Sequence, residues 1–411
     1  MSFSSLGLGP KLLQSIADLG YTQPTPIQLA AIPRLLEERD LIGIAQTGTG
    51  KTAAFVLPLL ERITSKPRNY QPRSARALIL APTRELALQI DEQVRLLGRH
   101  HRIRCATIFG GVGEHPQIVA MRAGVDVIVA TPGRLIDLMG SRHVNLAHVE
   151  IAVLDEADRM LDMGFLPQIR RIVNALPRVR QTMLFSATLS PDIEKITGEF
   201  LNNPETVEIG RRANPVDSVA QFLYPVPKSR KVDLLAHLLR DQTLDTVLVF
   251  SRTKHGADKI VRKLQAAKVA AVALHSNRSQ GQRVAALDAF KSGRARVLVA
   301  TDIASRGIDV EGISHVINFD FPMHAEDYVH RIGRTGRADA LGDAISFVTP
   351  DDEQYVRLLE KMTKKTVTRK RVEGFDYTDV QPASHHPRPA HTQARGRNDC
   401  PAPKAMGRRR P

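Results

Sequence analysis

The sequence predicts an α/β fold that is built twice, each copy centred on a mostly parallel sheet flanked by helices. Short, nearly continuous apolar segments alternate with amphipathic stretches between Leu41 and Phe347. Such segments are typical of parallel strands whose two faces are both covered by helices. A polar stretch at 210–215 separates the segments into two series, and 411 residues exceed what one hydrophobic core usually supports.

The predicted strands form two sets of five. The first set is 41–44, 77–80, 125–129, 151–154 and 182–185, and the second is 247–250, 269–272, 297–299, 315–318 and 344–347. We therefore predict a first domain at 1–210 and a second at 216–373. From Pro382 onward large apolar residues are almost absent, so residues 382–411 are predicted to form a disordered tail that cannot offset its ordering entropy.

The charge of the chain favours association with polyanions such as nucleic acid, since the formal net charge is +15. The tail contributes seven cations against one acid, Asp399; the cations are Arg388, Arg395, Arg397, Lys404, Arg408, Arg409 and Arg410. Two interpretations of the tail stay open: a solvated segment, and an auxiliary electrostatic contact to nucleic acid.

Other patterns exclude several classes of protein. No run of about 18 apolar residues occurs, so we predict no membrane span and no membrane partner. The first residues lack the pattern of a secretory signal. Cys105 and Cys400 are too few for a disulfide framework or a zinc cluster. We therefore expect a reducing, cytoplasmic setting.

Residues 45–52 have the composition of a phosphate-binding loop. The stretch Ala45-Gln46-Thr47-Gly48-Thr49-Gly50-Lys51-Thr52 follows a predicted strand and precedes an apolar, helix-like run. Glycines let backbone N–H groups approach phosphates, and the helix N-terminus adds a favourable dipole. Lys51 would reach the β- and γ-phosphates, and Thr52 would ligate Mg²⁺. Ala45 replaces the first glycine of the general pattern, and a glycine-rich turn without a ligand is the alternative.

An acidic cluster, Asp155-Glu156-Ala157-Asp158, follows the predicted buried strand at 151–154. Acids at the end of a buried strand are costly unless a cation or a partner compensates them. Asp155 would hold Mg²⁺, and Glu156 would orient and deprotonate the attacking water. By itself the cluster could equally cap a helix, but its occurrence together with a phosphate loop favours nucleotide hydrolysis.

With both elements present, the chain resembles the DEAD-box RNA helicases, a family named for the tetrapeptide at 155–158. The resemblance extends from about Phe3 to Thr349, with the motifs in the family's order. Gly374-Phe375-Asp376-Tyr377 and the short basic tail are most similar to the bacterial RhlE-type branch. The resemblance implies two tandem RecA-like domains: an N-terminal domain that binds ATP and Mg²⁺, and a C-terminal helicase domain.

Two further motifs are interpreted through this resemblance. Residues 20–28 are similar to the adenine-reading Q motif, in which Gln28 would pair with the adenine edge and Phe3 would stack on the ring. Phe3 could also be an ordinary core aromatic. Ser186-Ala187-Thr188 resembles the motif that couples the ATP site to domain movement, with hydroxyls that would bond Asp158 and His330. A simple turn is the alternative.

The segment His330-Arg331-Ile332-Gly333-Arg334-Thr335-Gly336-Arg337 is the strongest signal in the second series. Two arginines on one turn can clamp the charge that develops on a transferring phosphoryl group, so Arg334 and Arg337 are the arginine-finger candidates. A solvated basic start of a helix is the alternative. The resemblance also assigns Arg331 to coupling, and it assigns Gly307 and Asp309 to the nucleotide.

The resemblance implies RNA contacts in loops that follow predicted strands, where α/β sheets place their ligands. They are Pro82, Thr83, Arg84, Gly110, Gly111, Thr131, Gly133 and Arg134 in the first domain, and Arg252, Thr253, Gln280, Arg283 and Thr301 in the second. Hydroxyls, helix-start N–H groups and arginines suit phosphates, so binding is predicted to be sequence-independent. Contacts to 2′-hydroxyls would select RNA over DNA.

Together these features predict an ATP-dependent RNA helicase, an RNA-stimulated ATPase that separates duplexes locally and non-processively. An ATP-gated RNA clamp or assembly scaffold and a DNA translocase are the alternatives. Lys51, Glu156 and the two candidate arginine fingers count against a pure scaffold, which needs no hydrolytic apparatus. Ribosome-assembly and RNA-decay complexes are the expected partners.

Overall fold

The computed structural model describes residues 2–46, 48–66, 71–209, 219–241, 243–302, 312–335 and 342–378. The strands of the first sheet are β1 Leu41–Ile44, β2 Ala75–Leu80, β3 Cys105–Ile108, β4 Val125–Ala130, β5 Ile151–Leu154, β6 Gln181–Ser186 and β7 Glu205–Glu208. The strands of the second sheet are β8 Val219–Pro225, β9 Val247–Phe250, β10 Ala271–Leu274, β11 Val297–Ala300, β12 His315–Asn318, β13 Gly342–Val348 and β14 Thr368–Arg369. We call the parts built on these sheets the first and second lobes.

Helices connect and cover the strands of both lobes. In the first lobe they are α1 Pro10–Asp18, α2 Pro26–Leu36, α3 Lys51–Ser65, α4 Arg84–Leu97, α5 His115–Met121, α6 Pro132–Gly140, α7 Ala157–Asp162, α8 Leu166–Val173 and α9 Pro191–Phe200. In the second lobe they are α10 Lys231–Leu238, α11 Lys254–Ala266, α12 Gln280–Lys291, α13 Ala325–Ile332 and α14 Glu353–Thr363. Short 3₁₀ helices occupy Phe3–Leu6, Arg99–His101, Lys228–Arg230 and Pro350–Asp352.

The two sheets have the same kind of topology. Their strand orders are β3-β4-β2-β5-β6-β1-β7 and β10-β11-β9-β12-β13-β8-β14, and every pairing between these strands is parallel. Because parallel strands end at the same edge of a sheet, the loops after β1, β5 and β6 lie side by side in the first lobe. This edge carries the phosphate-loop candidate and the acidic cluster.

Burial explains why the central strands are so apolar. Strands β1, β2, β4, β5 and β6 are buried along their whole length, as are β9 and β11 in the second lobe. Each of these strands needs apolar side chains on both faces because helices cover both sides of a parallel sheet. One face of the first sheet packs around Phe55 and Phe185, whose ring centroids lie 5.2 Å apart.

Residues 368–378, the last ones described, pack against the second lobe. Strand β14 adds to β8, and the segment 370–378 continues over α10. The guanidinium of Arg230 donates to the backbone oxygen of Asp376 at 2.9–3.0 Å and to its carboxylate at 2.7 Å. Phe375 and Tyr377 pack edge-to-face, with centroids 4.9 Å apart. The Gly374–Tyr377 motif is therefore part of the second lobe's packing.

The predicted α/β architecture with two parallel sheets is confirmed. The ten predicted strands all occur, although several have different ends, and β3, β7, β8 and β14 were not predicted. The boundary stretch 210–215 and the tail 382–411 lie outside the described residues. Within the described ranges, no helix is long and apolar enough to cross a membrane.

Candidate nucleotide and RNA site

The phosphate-loop candidate lies between β1 and α3, at the carboxyl edge of the first sheet. Gly48 and Gly50 adopt left-handed backbone angles, with φ of +85° and +86°. The buried ammonium of Lys51 donates a 2.7 Å hydrogen bond to the backbone oxygen of Ala45, across the mouth of the loop. The loop is therefore already folded around the cation that a nucleotide would meet.

Gln28 connects the predicted adenine-reading motif to this loop. Its amide oxygen accepts the backbone N–H of Thr25 at 2.9 Å, and its amide nitrogen donates to the backbone oxygen of Gly50 at 3.1 Å. A side chain at position 50 would collide with Gln28, because its Cβ would lie 2.6 Å from the amide nitrogen. One amide N–H and one oxygen lone pair of Gln28 remain for another partner.

A cavity of about 660 Å³ runs along these elements. Its walls include Phe3, Tyr21 and Gln28, and also Lys51, Thr52 and Asp155. Phe3 is also a buried member of the hydrophobic core. It therefore packs against the core and at the same time forms part of the cavity wall. Lys291, the last residue of α12 in the second lobe, reaches the same cavity.

Asp155 is the most perturbed carboxyl group of the site. It follows β5 directly, is 3% exposed, and accepts the backbone N–H of Glu156 at 3.0 Å. Burial raises its pKa to about 7, although the charge of Lys51 opposes the shift. A buried carboxylate with so few partners is stabilised by any cation placed beside it.

Glu156 follows with an unusual backbone and a charged partner. Its φ of +51° lies in the left-handed region, at the position that precedes α7. Its carboxylate contacts the guanidinium of Arg159, one turn further along, and both side chains are buried. The sequence interpretation did not assign a role to Arg159.

Asp158 joins the acidic cluster to the segment 186–188. One carboxylate oxygen accepts the backbone N–H groups of Ala187 and Thr188 at 3.0 and 3.1 Å, and the Thr188 hydroxyl lies 3.3 Å from it. The hydroxyl of Ser186 instead lies 3.4 Å from the backbone nitrogen of Thr188. Of the two predicted hydroxyl contacts, the structure thus places that of Thr188 on Asp158.

A second cavity, of about 120 Å³, lies between the two lobes. The first lobe contributes Lys51, Glu156 and Asp158 to its walls, and the second contributes His330 and Arg334, among others. Desolvation in this cleft lowers the pKa of His330 below its ordinary value, although the charges of Asp158 and Asp162 oppose the shift. Residues that lie far apart in the sequence are thus gathered around one small space.

Arg331 is held inside the second lobe. It forms a two-pronged salt bridge with Asp302 at 2.6 and 2.7 Å, and it donates to the side chain of Asn318 at 3.1 Å. Its guanidinium also lies 4.9 Å from the centre of the Phe250 ring. These contacts fix the base of the turn that carries Arg334, which is 8% exposed.

The RNA-contact candidates of the first lobe meet around Arg84. Gly111 lies directly against the Arg84 guanidinium, and Arg134 donates to the backbone oxygen of Val112 at 3.2 Å. Burial lowers the pKa of Arg84, and the charges of Arg283 and Arg134 lower it further. Three guanidinium groups from both lobes therefore share one region.

The other candidates of the first lobe lie at starts of helices. Pro82 and Thr83 precede α4, where the Thr83 hydroxyl accepts the Leu86 N–H at 3.3 Å. Thr131 precedes α6, Gly133 lies in its first turn, and Gly110 follows β3.

The second lobe presents its candidates at the ends of β9 and β11 and at the start of α12. Arg252 is half exposed, and its guanidinium donates to the backbone oxygen of Phe321 at 3.0 Å. Thr253 caps α11, and Thr301 follows β11. The amide nitrogen and oxygen of Gln280 are buried, and neither has a hydrogen-bond partner within the described chain.

Arg283 has a partner that the sequence did not reveal. Its guanidinium Nε lies 2.8 Å from the carboxylate of Glu85 in α4, and both side chains are buried. This ion pair joins α12 of the second lobe to the first lobe, so the predicted RNA contact at Arg283 also belongs to the interface between the lobes.

Four predicted site residues lie outside the described residues: Thr47, Gly307, Asp309 and Arg337. Most of the other nucleotide-site candidates line the two cavities, whereas Ala45 and Thr49 belong to the phosphate-loop candidate without lining either one. It adds Arg159, Glu85 and Asp302 as charged partners of predicted residues. The i, i+3 spacing of Glu156 and Arg159 in a helix start was a usable signal, whereas the other two pairings span long sequence separations.

Family models agree with this arrangement. The model described as DEAD/DEAH box helicase matches residues 25–196, and the model described as helicase conserved C-terminal domain matches residues 230–339. Each match covers most of one lobe. Among solved structures, yeast Dbp5 bound to RNA and ADP BeF3 is similar to this chain, with a TM-score of 0.78 and 34% identity over 90% of this chain and 95% of that one.

A DEAD box protein from Methanococcus jannaschii also matches, with a TM-score of 0.51 and 34% identity over 91% of this chain and 99% of that one. Among curated proteins, DEAD-box ATP-dependent RNA helicase 30 of Arabidopsis thaliana is 46% identical over 88% of this chain, which spans 62% of that protein's length. CshA of Listeria monocytogenes is 44% identical over 88% of this chain and 69% of its own length. The chain therefore belongs to the family of DEAD-box ATP-dependent RNA helicases.

Proposed function

We propose that this protein hydrolyses ATP between its lobes and uses their closure on RNA to separate short stretches of duplex. The observation that supports this most directly is the shared cavity between the lobes. Lys51 and Glu156 reach it from one sheet, and His330 and Arg334 reach it from the other. Hydrolysis that needs both walls would depend on closure.

ATP would bind along the larger cavity. Phe3 and Gln28 would contact the adenine, since both line this cavity, and the loop 45–52 would hold the phosphates. Lys51 would exchange its bond to Ala45 for phosphate oxygens. Gly307 and Asp309 remain proposed nucleotide contacts.

The residues present fit a magnesium ion. Asp155 is buried with a raised pKa, which a divalent cation would counteract, and the hydroxyl of Thr52 lines the same cavity. Within the described residues no cluster of three metal-binding acids, histidines or cysteines occurs. Mg²⁺ suits such a site because it usually combines one or two protein ligands with phosphates and water. Bound there, it would neutralise phosphate charge.

Three residues would carry the hydrolytic step, and a fourth would couple it to movement. Glu156 would orient and deprotonate the attacking water, and Arg334 would stabilise the charge that develops on the transferring phosphoryl group, together with Arg337. Asp158, bonded to Thr188, would connect this chemistry to movement of the lobes.

The RNA backbone would lie across both lobes. The guanidinium groups of Arg84 and Arg134 and the helix starts after β2 and β4 offer phosphate contacts in the first lobe, and Arg252, Thr253 and Gln280 offer them in the second. Such contacts do not read bases, so binding would be sequence-independent.

Finer assignments also stay proposals. We place the chain in the RhlE-type branch on its Gly374–Tyr377 motif and short tail, whereas the relatives named above are a plant helicase and CshA. The scarcity of cysteine supports a reducing, cytoplasmic location. Ribosome-assembly and RNA-decay complexes are the proposed settings.

The test is ATP turnover with matched single strands of RNA and DNA. RNA is expected to stimulate turnover, and DNA of the same sequence much less. Equal stimulation by DNA would count against RNA selectivity and favour a DNA translocase. Turnover that RNA does not change would favour a passive clamp.

The Glu156→Gln variant tests the general base. Binding of ATP and RNA should persist while turnover is lost, so the variant should hold RNA much longer than the unchanged protein in a chase experiment. Rapid RNA release would contradict the assigned role.

A further inference from the structure

Arg159 lies where it can control the orientation of Glu156. The guanidinium Nη1 of Arg159 donates to Oε2 of the Glu156 carboxylate. The two residues are 9% and 7% exposed, and both line the cavity between the lobes. The ion pair is therefore part of the hydrolytic site and not a contact on the outer surface.

The glutamate needs such a partner for two physical reasons. Its side chain is flexible, and fixing it costs conformational entropy. Its carboxylate is also buried, which is costly without a compensating charge. The left-handed backbone at Glu156 sets where the side chain begins, and Arg159, on the first turn of α7, determines where it ends. The planar guanidinium is well suited to hold a carboxylate in one orientation.

The contact leaves part of the carboxylate available. Arg159 donates to Oε2, so Oε1 and its lone pairs can accept a hydrogen bond from water. Arg159 itself is anchored through its backbone, because its N–H donates to Asp158 at 2.9 Å and Asp158 bonds Thr188. Arg159 thus contacts the candidate base through its guanidinium, and it contacts the acid that faces the other lobe through its backbone N–H.

We propose that Arg159 is a positioning residue, which holds the Glu156 carboxylate in the orientation that hydrolysis requires. This inference rests on the proposed function, since it presupposes that Glu156 acts on the attacking water. Arg159 acts through Glu156 and does not bind the nucleotide, so it should affect turnover and leave nucleotide affinity unchanged.

Arg159→Met and Arg159→Lys test this in the full chain with saturating RNA. A misplacement of about 1 Å at a catalytic group costs on the order of a hundredfold in rate. We therefore expect the Met variant to lower kcat about 10- to 100-fold with KM for ATP within about twofold, and the Lys variant to recover part of the loss. Arg170→Met, which breaks an exposed ion pair with Glu199, is the matched control and should keep normal turnover.

The double variant Glu156→Gln/Arg159→Met completes a double-mutant cycle with the two single variants. If Arg159 acts through Glu156, the double variant should be no slower than Glu156→Gln alone. A Met variant with unchanged or faster kcat, beside an inactive Glu156→Gln, would overturn the positioning role and leave the proposed function intact. A rise in KM at unchanged kcat would also overturn it, because it would make Arg159 a nucleotide contact.

Two further results separate the remaining explanations. If Glu156→Gln itself kept full turnover, the assignment of Glu156 as the general base would be wrong, whatever the Arg159 variants show. Thermal unfolding shows whether the Met variant folds; if it does not, the Lys variant decides, since it keeps the charge. A folded Lys variant with normal kcat and KM would contradict the need for a guanidinium.

Discussion

At the scale of single residues, the absence of a side chain at Gly111 shapes the proposed RNA surface. Its φ is +78°, and a Cβ at this position would lie 2.1 Å from Nη1 of Arg84. The Gly111→Ala variant should therefore displace the Arg84 guanidinium. We expect weaker RNA binding. The slope of log K against log salt concentration should become less steep by about 0.7, which is the contribution of one phosphate contact in a single strand.

Gly113→Ala is the matched control, because no described atom lies within 4 Å of its Cβ position. RNA titrations at several salt concentrations measure both variants, and nucleotide binding without RNA should stay normal in each. An unchanged salt slope for Gly111→Ala would mean that Arg84 does not contact phosphate.

The Glu150 carboxyl group is expected to make the stability of the protein depend on pH. Burial raises its pKa, but the hydrogen bond and charge of Arg76, at 2.7 Å, hold the pKa below its ordinary value of 4.5. A carboxyl group with a depressed pKa stabilises the folded state above its unfolded pKa, and this contribution is lost as the pH falls through the folded value.

Glu150→Gln should accordingly lower the free energy of unfolding by about 1 kcal/mol at pH 7. The difference from the unchanged protein should shrink as the pH falls below about 4.5. Denaturant unfolding at several pH values measures it. A difference that stays constant down to acid pH would show that packing, not charge, is responsible.

The sequence predicts candidate site residues where those residues are contiguous along the chain. The loop 45–52 and the acids at 155–158 are short segments that follow strands, so composition and position suffice to predict them. The pair Glu85–Arg283 could not be predicted in this way, because its members are 198 residues apart and either could be an ordinary surface charge. Only the folded lobes bring them together.

At the scale of elements, the predictable strands are those buried on both faces, because they need continuous apolar runs. The unpredicted β7, Glu-Thr-Val-Glu, is an edge strand with one buried residue. The unpredicted β14 has two exposed residues. The strand predicted at 269–272 lies two residues before the observed β10, Ala271–Leu274. The run 269–274 is apolar throughout, so no periodicity defines the ends of the strand.

Helices α4 and α12 are joined across the lobes by the ion pair between Glu85 and Arg283. Removing one partner leaves the other charge buried, at a cost of about 3 kcal/mol. This cost applies only when the lobes are together, because each charge is hydrated when they separate. Arg283→Met should therefore lower the closed population, expressed as the ratio of closed to open molecules, roughly a hundredfold.

Inter-lobe fluorescence energy transfer with RNA and a non-hydrolysable ATP analogue measures this population. Arg369→Met, which breaks the 2.7 Å pair with Glu353 inside the second lobe, is the control. The double variant Glu85→Leu/Arg283→Met should recover part of the closure, because it leaves no unpaired charge. Equal loss in the double variant would assign Arg283 mainly to RNA.

At the scale of the whole molecule, the function depends on how the lobes meet. The sequence predicts two sheets and their loops, but periodicity carries no information about the contact between separate domains. The structure places both sets of loops around common cavities. Its similarity to Dbp5 bound to RNA and ADP BeF3, with a TM-score of 0.78 over 90% of the chain, extends across both lobes.

This architecture limits how much duplex one ATP can open. Separating one base-pair step costs about 1.4 kcal/mol by the DNA figure, and a nucleotide bound at micromolar affinity supplies about 8 kcal/mol. One closure can therefore disrupt about five base pairs before losses. Because reopening after hydrolysis would release the RNA, the next closure would start again and would not continue from the first.

Unwinding should accordingly fall steeply with duplex length in a single-turnover experiment. Duplexes of about one helical turn are expected to separate, because the pairs left after one closure dissociate thermally, whereas duplexes several times longer should stay paired. Matched GC-rich and AU-rich RNA duplexes of one length provide the control, since the weaker pairs should separate faster if local melting is the limiting step. Unwinding efficiency that does not depend on duplex length would mean that the lobes stay bound to RNA through successive cycles of ATP hydrolysis. That result would contradict the proposal that the lobes reopen and release RNA after each ATP.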